Sequence, residues 1–330
     1  MQCIHTTTSH PDHLIQILPP KEVGSEGLHW QHKDLCSLAD LSPSEIRLIL
    51  DTATKFSKSD QETKDKSLLE GKTVTNLFIE PSTRTRISFE LAAKRLGADV
   101  VTISATSSSI EKGESLLDTA RNIEALHTDI IVLRHQSSGS ARFLADRLKA
   151  SVINAGDGAH EHPTQGLLDL FTIHKKLGRI EGLKVAIVGD ILFSRVARSN
   201  IQALTKLGAE VILVGPATLV PETFSSLGVK IAHSIDEILS EVDVINILRI
   251  QQERQKREYF PGLKEYTSLF GLTQKRAQQL RPECLIMHPG PINRGIEIDS
   301  DVANSDGSVI LEQVTNGLAI RMAVLTLCAL

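Results

Sequence analysis

Residues 78–90 read FIEPSTRTRISFE, which places Ser82, Thr83 and Thr85 around Arg84 and Arg86 directly after an apolar run. A helix starting there offers free backbone N–H groups and the positive end of its dipole, a favourable setting for a phosphate. Other apolar runs of strand length also end on groups suited to anions or carbonyls. DIIVLR ends on Arg134 and is followed by His135, and SVINAG opens into a loop presenting His160, His162 and Gln165. KVAIVGD leads to Ser194-Arg195, VDVINIL to Arg249 and Gln251, and CLIM to His288-Pro289-Gly290-Pro291. Arginines at the mouths of two sheets describe a cleft with two anion pockets.

Each residue also has a plainer reading. For Arg84 the alternative is a solvated helix start, which Ser-Thr-Arg-Thr after a buried strand outweighs. Arg86 lies two positions on, faces elsewhere and reads as structural, paired with a carboxylate. Arg134 and Arg249 follow buried strands, where an unpaired charge is expensive, so a structural Asp or Glu competes with a ligand for each. For Arg195 the two readings stand level. His160-Glu161-His162 has neither the spacing of a helical zinc motif nor a cysteine beside it, so no metal is expected. The absence of GxxxxGK[ST] and GxSxG removes P-loop and α/β-hydrolase chemistry, and the absence of GxGxxG weakens nicotinamide binding. No cofactor is expected.

The elements that must hold these residues alternate. Strand-length apolar runs at 74–79, 99–104, 129–134 and 151–156, then at 184–190, 210–215, 242–248 and 284–290, are separated by helical patterns. This order predicts an α/β fold of two doubly wound parallel-sheet domains with helices on both faces. AAKRLGADVVTIS and ALTKLGAEVILVG repeat one scheme, with Gly97 and Gly208 as helix stops that require positive φ. HPTQGLLDLFTIHKKLG (162–178) reads as a long linking helix, entered at Pro163 and ended by Gly178. A C-terminal helix, about 316–329, is expected to fold back on the first domain. The expected division is a loosely ordered extension over 1–30, a first domain over 31–165 joined by 315–330, and a second over 166–314.

Bulk properties agree with a soluble globular protein of 330 residues, 41% hydrophobic and 23% charged. Thirty-six basic against 40 acidic residues give a net charge of -4, which offers no electrostatic case for nucleic acid or a membrane surface. Cys3, Cys36, Cys284 and Cys328 are far apart, which suits a reducing cytoplasm rather than a disulfide framework. LAIRMAVLTLCAL is interrupted by Arg321 and too short to span a bilayer.

From about residue 31 to 330 the chain resembles the aspartate carbamoyltransferase catalytic chains of the aspartate/ornithine carbamoyltransferase superfamily. The resemblance is carried by FIEPSTRTRISFELAAKRLGA, SSSIEKGESLLDTA, IVLRH, NAGDGAHEHPTQGLLDLFTI, LRIQQER, HPGPINRGIEI and VTNGLAIRMAVL in that order. It implies transfer of a carbamoyl group from carbamoyl phosphate to L-aspartate in pyrimidine synthesis. It further implies that Ser82, Thr83, Arg84 and Thr85 hold phosphate, with Arg134 bridging phosphate and carbonyl oxygen. His162 would bind that carbonyl, Gln165 the carbamoyl amide, and the backbone at Pro289 and Gly290 the amino or carbamoyl groups. Arg195, Arg249 and Gln251 would hold aspartate. Ser108 and Lys112, which alone read as a solvated loop, would enter a neighbour's site and imply a homotrimer, with regulatory or dihydroorotase-like chains as candidate further partners. HPGP stands where some members have HPLP; contacts made by backbone tolerate that change.

Three alternatives remain. An ornithine carbamoyltransferase would be expected to carry an HCLP-type segment and groups for an ammonium in place of paired arginines. A catalytically silent structural homologue tends to lose the phosphate hydroxyls, the bridging arginine or the borrowed lysine, all present here. A nicotinamide dehydrogenase lacks its glycine fingerprint.

Overall fold

The computed structural model describes residues 30–58, 67–104, 113–251 and 262–330. Almost all of the extension expected over 1–30, together with Ser108 and Lys112, lies outside them. The strands are β1 (Thr73–Phe78), β2 (Asp99–Ser104), β3 (Ile130–His135), β4 (Ser151–Asp157), β5 (Lys184–Val188), β6 (Glu210–Val214), β7 (Lys230–Ala232), β8 (Val244–Ile247) and β9 (Leu285–Met287). They form two parallel sheets, ordered β2-β1-β3-β4 and β7-β6-β5-β8-β9. The helices are α1 (Pro43–Lys58), α2 (Thr83–Arg95), α3 (Leu116–Ala125), α4 (Ser140–Ala145) and α5 (Pro163–Leu177), then α6 (Arg195–Lys206), α7 (Leu263–Phe270), α8 (Gln274–Ala277), α9 (Ser300–Ala303) and α10 (Ile310–Cys328).

The apolar runs form strands buried on both faces, as a parallel sheet between helical layers requires. In β3, Ile130 and Val132 enter one core while Ile131 and Leu133 enter another, the period-two alternation of a strand. One core packs both sheets against α1, α2, α5, α6 and α10; a second lies between the first sheet and α3 and α4. A third covers the far face of the second sheet. Each fully buried Leu, Ile or Phe contributes roughly 1.5–3 kcal/mol.

Gly97 and Gly208 take φ of 90° and 79°, so the repeated helix stop is a repeated backbone event. The expected boundary at 165/166 falls in the first turn of α5, whose N1 residue is Pro163 and whose C-cap is Gly178. α10 begins earlier than the sequence pattern suggested and lies against α1, α2 and α5. Among the described residues no helix is long and apolar enough to cross a membrane.

Two elements differ from expectation. β7 spans only Lys230–Ala232, too short to show a period. β2 reads as an apolar strand, yet it is the edge of the first sheet and largely exposed, with Val101 at 48%.

Strand order reverses between β1 and β3 and again between β5 and β8. In open α/β sheets ligands bind beyond the strand C-termini at such switch points.

Candidate active site

The loops at the two switch points enclose one cavity of about 470 Å³. Ser82, Thr83, Arg84, Thr85, Arg134, His162 and Gln165 line it from the first sheet's side. Arg195, Arg249, Gln251, Pro289 and Gly290 line it from the second. The expected site residues within the described chain are thus brought together in one continuous cavity, the cleft between two sheet mouths that the sequence suggested.

α2 starts at Thr83, after the short connection from β1 over residues 79–82, so its free N–H groups open into the cavity. Ser82 is the N-cap, yet its hydroxyl makes no capping bond. Desolvation, then the positive charge of Arg249, lowers the pKa of Arg84, which places guanidinium groups from the two sheets close together. Two like charges near one another favour a bound anion between them. Arg86 lies away from the cavity wall, 3.7 Å from Glu90, the structural role expected of it.

Arg134 and Arg195 meet on Glu80, the residue just past β1. Arg134 Nη2 donates to Glu80 Oε1 at 2.8 Å, and its Nη1 donates to the Ala155 carbonyl at 3.1 Å. Arg195, from the first turn of α6, takes the same carboxylate with both terminal nitrogens, Nη1 reaching Oε2 at 3.1 Å. The bidentate pair spans the two sheets. Gly156, at φ 115°, lies beneath: a Cβ there would stand 3.0 Å from Arg134 Nη1 and 3.1 Å from Arg195 Cζ. Only glycine permits both that backbone and that approach.

His162 is the N-cap of α5, buried, with its backbone N–H on the Ser199 hydroxyl. His160 turns to Asp157, whose hydrogen bond raises its pKa, and does not line the cavity. Among the described residues no group of His, Cys, Asp or Glu is arranged to hold a metal. Gln251 is tied to the β5 loop through its backbone N–H on Asp190 and its Nε2 on the Phe193 carbonyl. Gly290 takes φ 65° with its N–H on His288 Nδ1, and a Cβ there would meet the Arg84 guanidinium at 3.0 Å. His288 is buried against Glu297, and its own N–H is held by Gln313 of α10.

Two residues of the wall escaped the sequence reading. Glu80 was legible as a carboxylate at a sheet mouth crowded by arginines, each expected to need a partner. Arg321 read only as an interruption in an apolar helix; it lines the cavity, donates to Ser88 Oγ at 3.0 Å and is lowered by burial to about 10. Five arginines against one glutamate give the cavity an excess of positive charge suited to two anionic ligands.

The chain belongs to the aspartate/ornithine carbamoyltransferase family: residues 33–175 match its carbamoyl-P binding domain and residues 181–328 its Asp/Orn binding domain. It is 58% identical over 301 residues to the aspartate carbamoyltransferase catalytic subunit of Opitutus terrae, covering 91% of this chain and 96% of that one. The aspartate transcarbamoylase of Trypanosoma cruzi, solved with carbamoyl phosphate and aspartate, superposes with a TM-score of 0.82 at 30% identity, covering 90% of this chain and 97% of that one. The ornithine carbamoyltransferase of Pyrococcus furiosus gives 0.80 at 32%, covering 91% and 98%. The fold is therefore common to aspartate and ornithine enzymes.

Proposed function

We propose that this enzyme is an aspartate carbamoyltransferase, moving the carbamoyl group of carbamoyl phosphate to L-aspartate to give N-carbamoyl-L-aspartate and phosphate, in pyrimidine synthesis. The observation that carries this reading is the single cavity lined by guanidinium groups from both sheets, Arg84 and Arg134 from the first and Arg195 and Arg249 from the second. Ser82, Thr83, Arg84 and Thr85 take the phosphate; Arg134 and His162 take the carbonyl oxygen; Gln165 reads the carbamoyl amide; Pro289 and Gly290 contribute backbone groups. Arg195, Arg249 and Gln251 take the aspartate carboxylates, for which ornithine's ammonium would be a poor replacement.

The donor is already activated, so no covalent nucleophile is needed. The aspartate amine forms a C–N bond to the carbonyl carbon, the C–O bond to phosphate breaks, and the amine proton leaves with the phosphate. Alignment of the two substrates contributes roughly 7–11 kcal/mol. Donors directed at the developing oxyanion contribute about 3–4 kcal/mol each.

The proposed assembly is a homotrimer in which Ser108 and Lys112 enter a neighbour's cavity. Ile87 and Leu91 of α2 and Val101 of the adjacent edge strand β2 support it as exposed apolar side chains on neighbouring elements. A reducing cytoplasm is the proposed setting; Cys36, Cys284 and Cys328 are buried thiols whose pKa values burial raises. Carbamoyl phosphate supplied with aspartate or ornithine in parallel assays tests the function. Turnover is expected with aspartate, and turnover with ornithine alone overturns the reading.

A further inference from the structure

Asp169 lies one helical turn past Gln165 on α5, fully buried and outside the cavity wall. Amide groups surround it. Its Oδ1 accepts from Gln165 Nε2 at 3.0 Å and Gln313 Nε2 at 2.8 Å. Its Oδ2 accepts from Asn200 Nδ2 at 2.8 Å and Asn246 Nδ2 at 3.4 Å. The four partners come from α5, α10, α6 and β8, and the charged group that acts on this cluster is Arg321 of α10. Burial raises Asp169 to about 6, with the amide hydrogens opposing that rise; all four partners meet it through an amide nitrogen, so both of its oxygens act as acceptors.

An amide has one donor side and one acceptor side. With Gln165 Nε2 committed to a group that cannot donate, the oxygen is the atom left for the cavity. Gln313 is held the same way, its oxygen on the His288 N–H that begins the Pro289–Gly290 loop. We infer that Asp169 is a positioning residue that sets specificity for a carbamoyl donor over an acyl donor, by holding the Gln165 carbonyl toward the donor's NH₂ group. This rests on the proposed reading of the cavity as the carbamoyl phosphate site. A site built to accept from an N–H discriminates against an analogue that lacks it.

Acetyl phosphate supplies that analogue, with a methyl group where the carbamoyl NH₂ stands. The readout is the ratio of its inhibition constant to the KM for carbamoyl phosphate, measured on the full chain with folding followed by thermal melt. Asp169→Asn puts a donor into the cluster and is expected to lower the ratio about tenfold through a higher KM for carbamoyl phosphate, with kcat falling alongside. Acetyl phosphate inhibition should move less than about threefold, since its methyl makes no such bond. Combining Asp169→Asn with Asn200→Asp gives the new amide hydrogens an acceptor and leaves its oxygen for Gln165. This pair should return the ratio to within about threefold of the wild type.

A folded Asp169→Asn protein with the wild-type ratio, while Gln165→Ala loses it, overturns the inference. Gln165→Ala with the wild-type ratio places the failure in the reading of the cavity. Should Asp169→Asn not fold, the paired variant decides: a ratio like that of Gln165→Ala, or no folded protein, overturns the inference.

Discussion

Glu80 shows why residue types alone left the arginines ambiguous. The sequence offered Arg134 a ligand or a structural carboxylate and left Arg195 level between function and structure, and the two have a carboxylate in common at the edge of the cavity. The carboxylate fixes two guanidinium groups that both line the cavity. Glu80→Gln keeps the shape and removes the charge. It is expected to lower kcat at least about tenfold and raise the aspartate concentration for half-saturation, because Arg195 loses a bidentate partner and its hold on the first sheet. Steady-state rates with a thermal melt check this; a large drop in rate with an unchanged half-saturation point would speak against it. Arg134 and Arg249 were placed at the cavity by position at the ends of apolar runs, Arg84 by its Ser-Thr-Arg-Thr cluster, and Arg195 only with the resemblance. Glu80 was visible as a carboxylate after an apolar run, but which arginines it pairs is chosen by the fold, and Arg321 showed in the sequence only as a break in an apolar helix.

At the scale of elements, what was legible was whatever repeats. Strands with buried faces on both sides carry their signal in a few residues, and Leu-Gly stops carry theirs in one. β7 and the exposed side of β2 were not legible, since three residues show no period and an edge looks the same as a centre until neighbours are placed. The turn after β4 carries a sharper requirement than its sequence revealed. Gly156 holds φ 115° and leaves room for two guanidinium groups. Gly156→Ala should therefore cost about 1–3 kcal/mol of stability from backbone strain. It should also lower activity more than a loss of stability accounts for, by displacing Arg134 and Arg195. Urea unfolding alongside initial rates separates the two effects; a variant with unchanged rates would show that the approach tolerates a methyl.

The whole molecule is one cavity between two sheets joined through a common core. This was partly legible: the repeat promised two similar halves, whereas an apolar core that runs through both is a property of packing. The proposed trimer makes a prediction at this scale. Arg84→Ala and Lys112→Ala chains, each nearly inactive alone, should regain turnover when dissociated together and reassembled, because some cavities then receive an intact residue from each kind of chain. Verified mixed trimers that stay inactive would remove Lys112 from the site. α10 carries one more consequence. It lies on α1 and α2, beside a first sheet whose last strand ends at Asp157, yet it begins only at Ile310. On the ribosome the earlier half therefore emerges with an uncovered apolar side and keeps it throughout synthesis of the later half. Its final closure is a long-range event, so the nascent chain passes through a prolonged stage in which chaperones have a surface to hold.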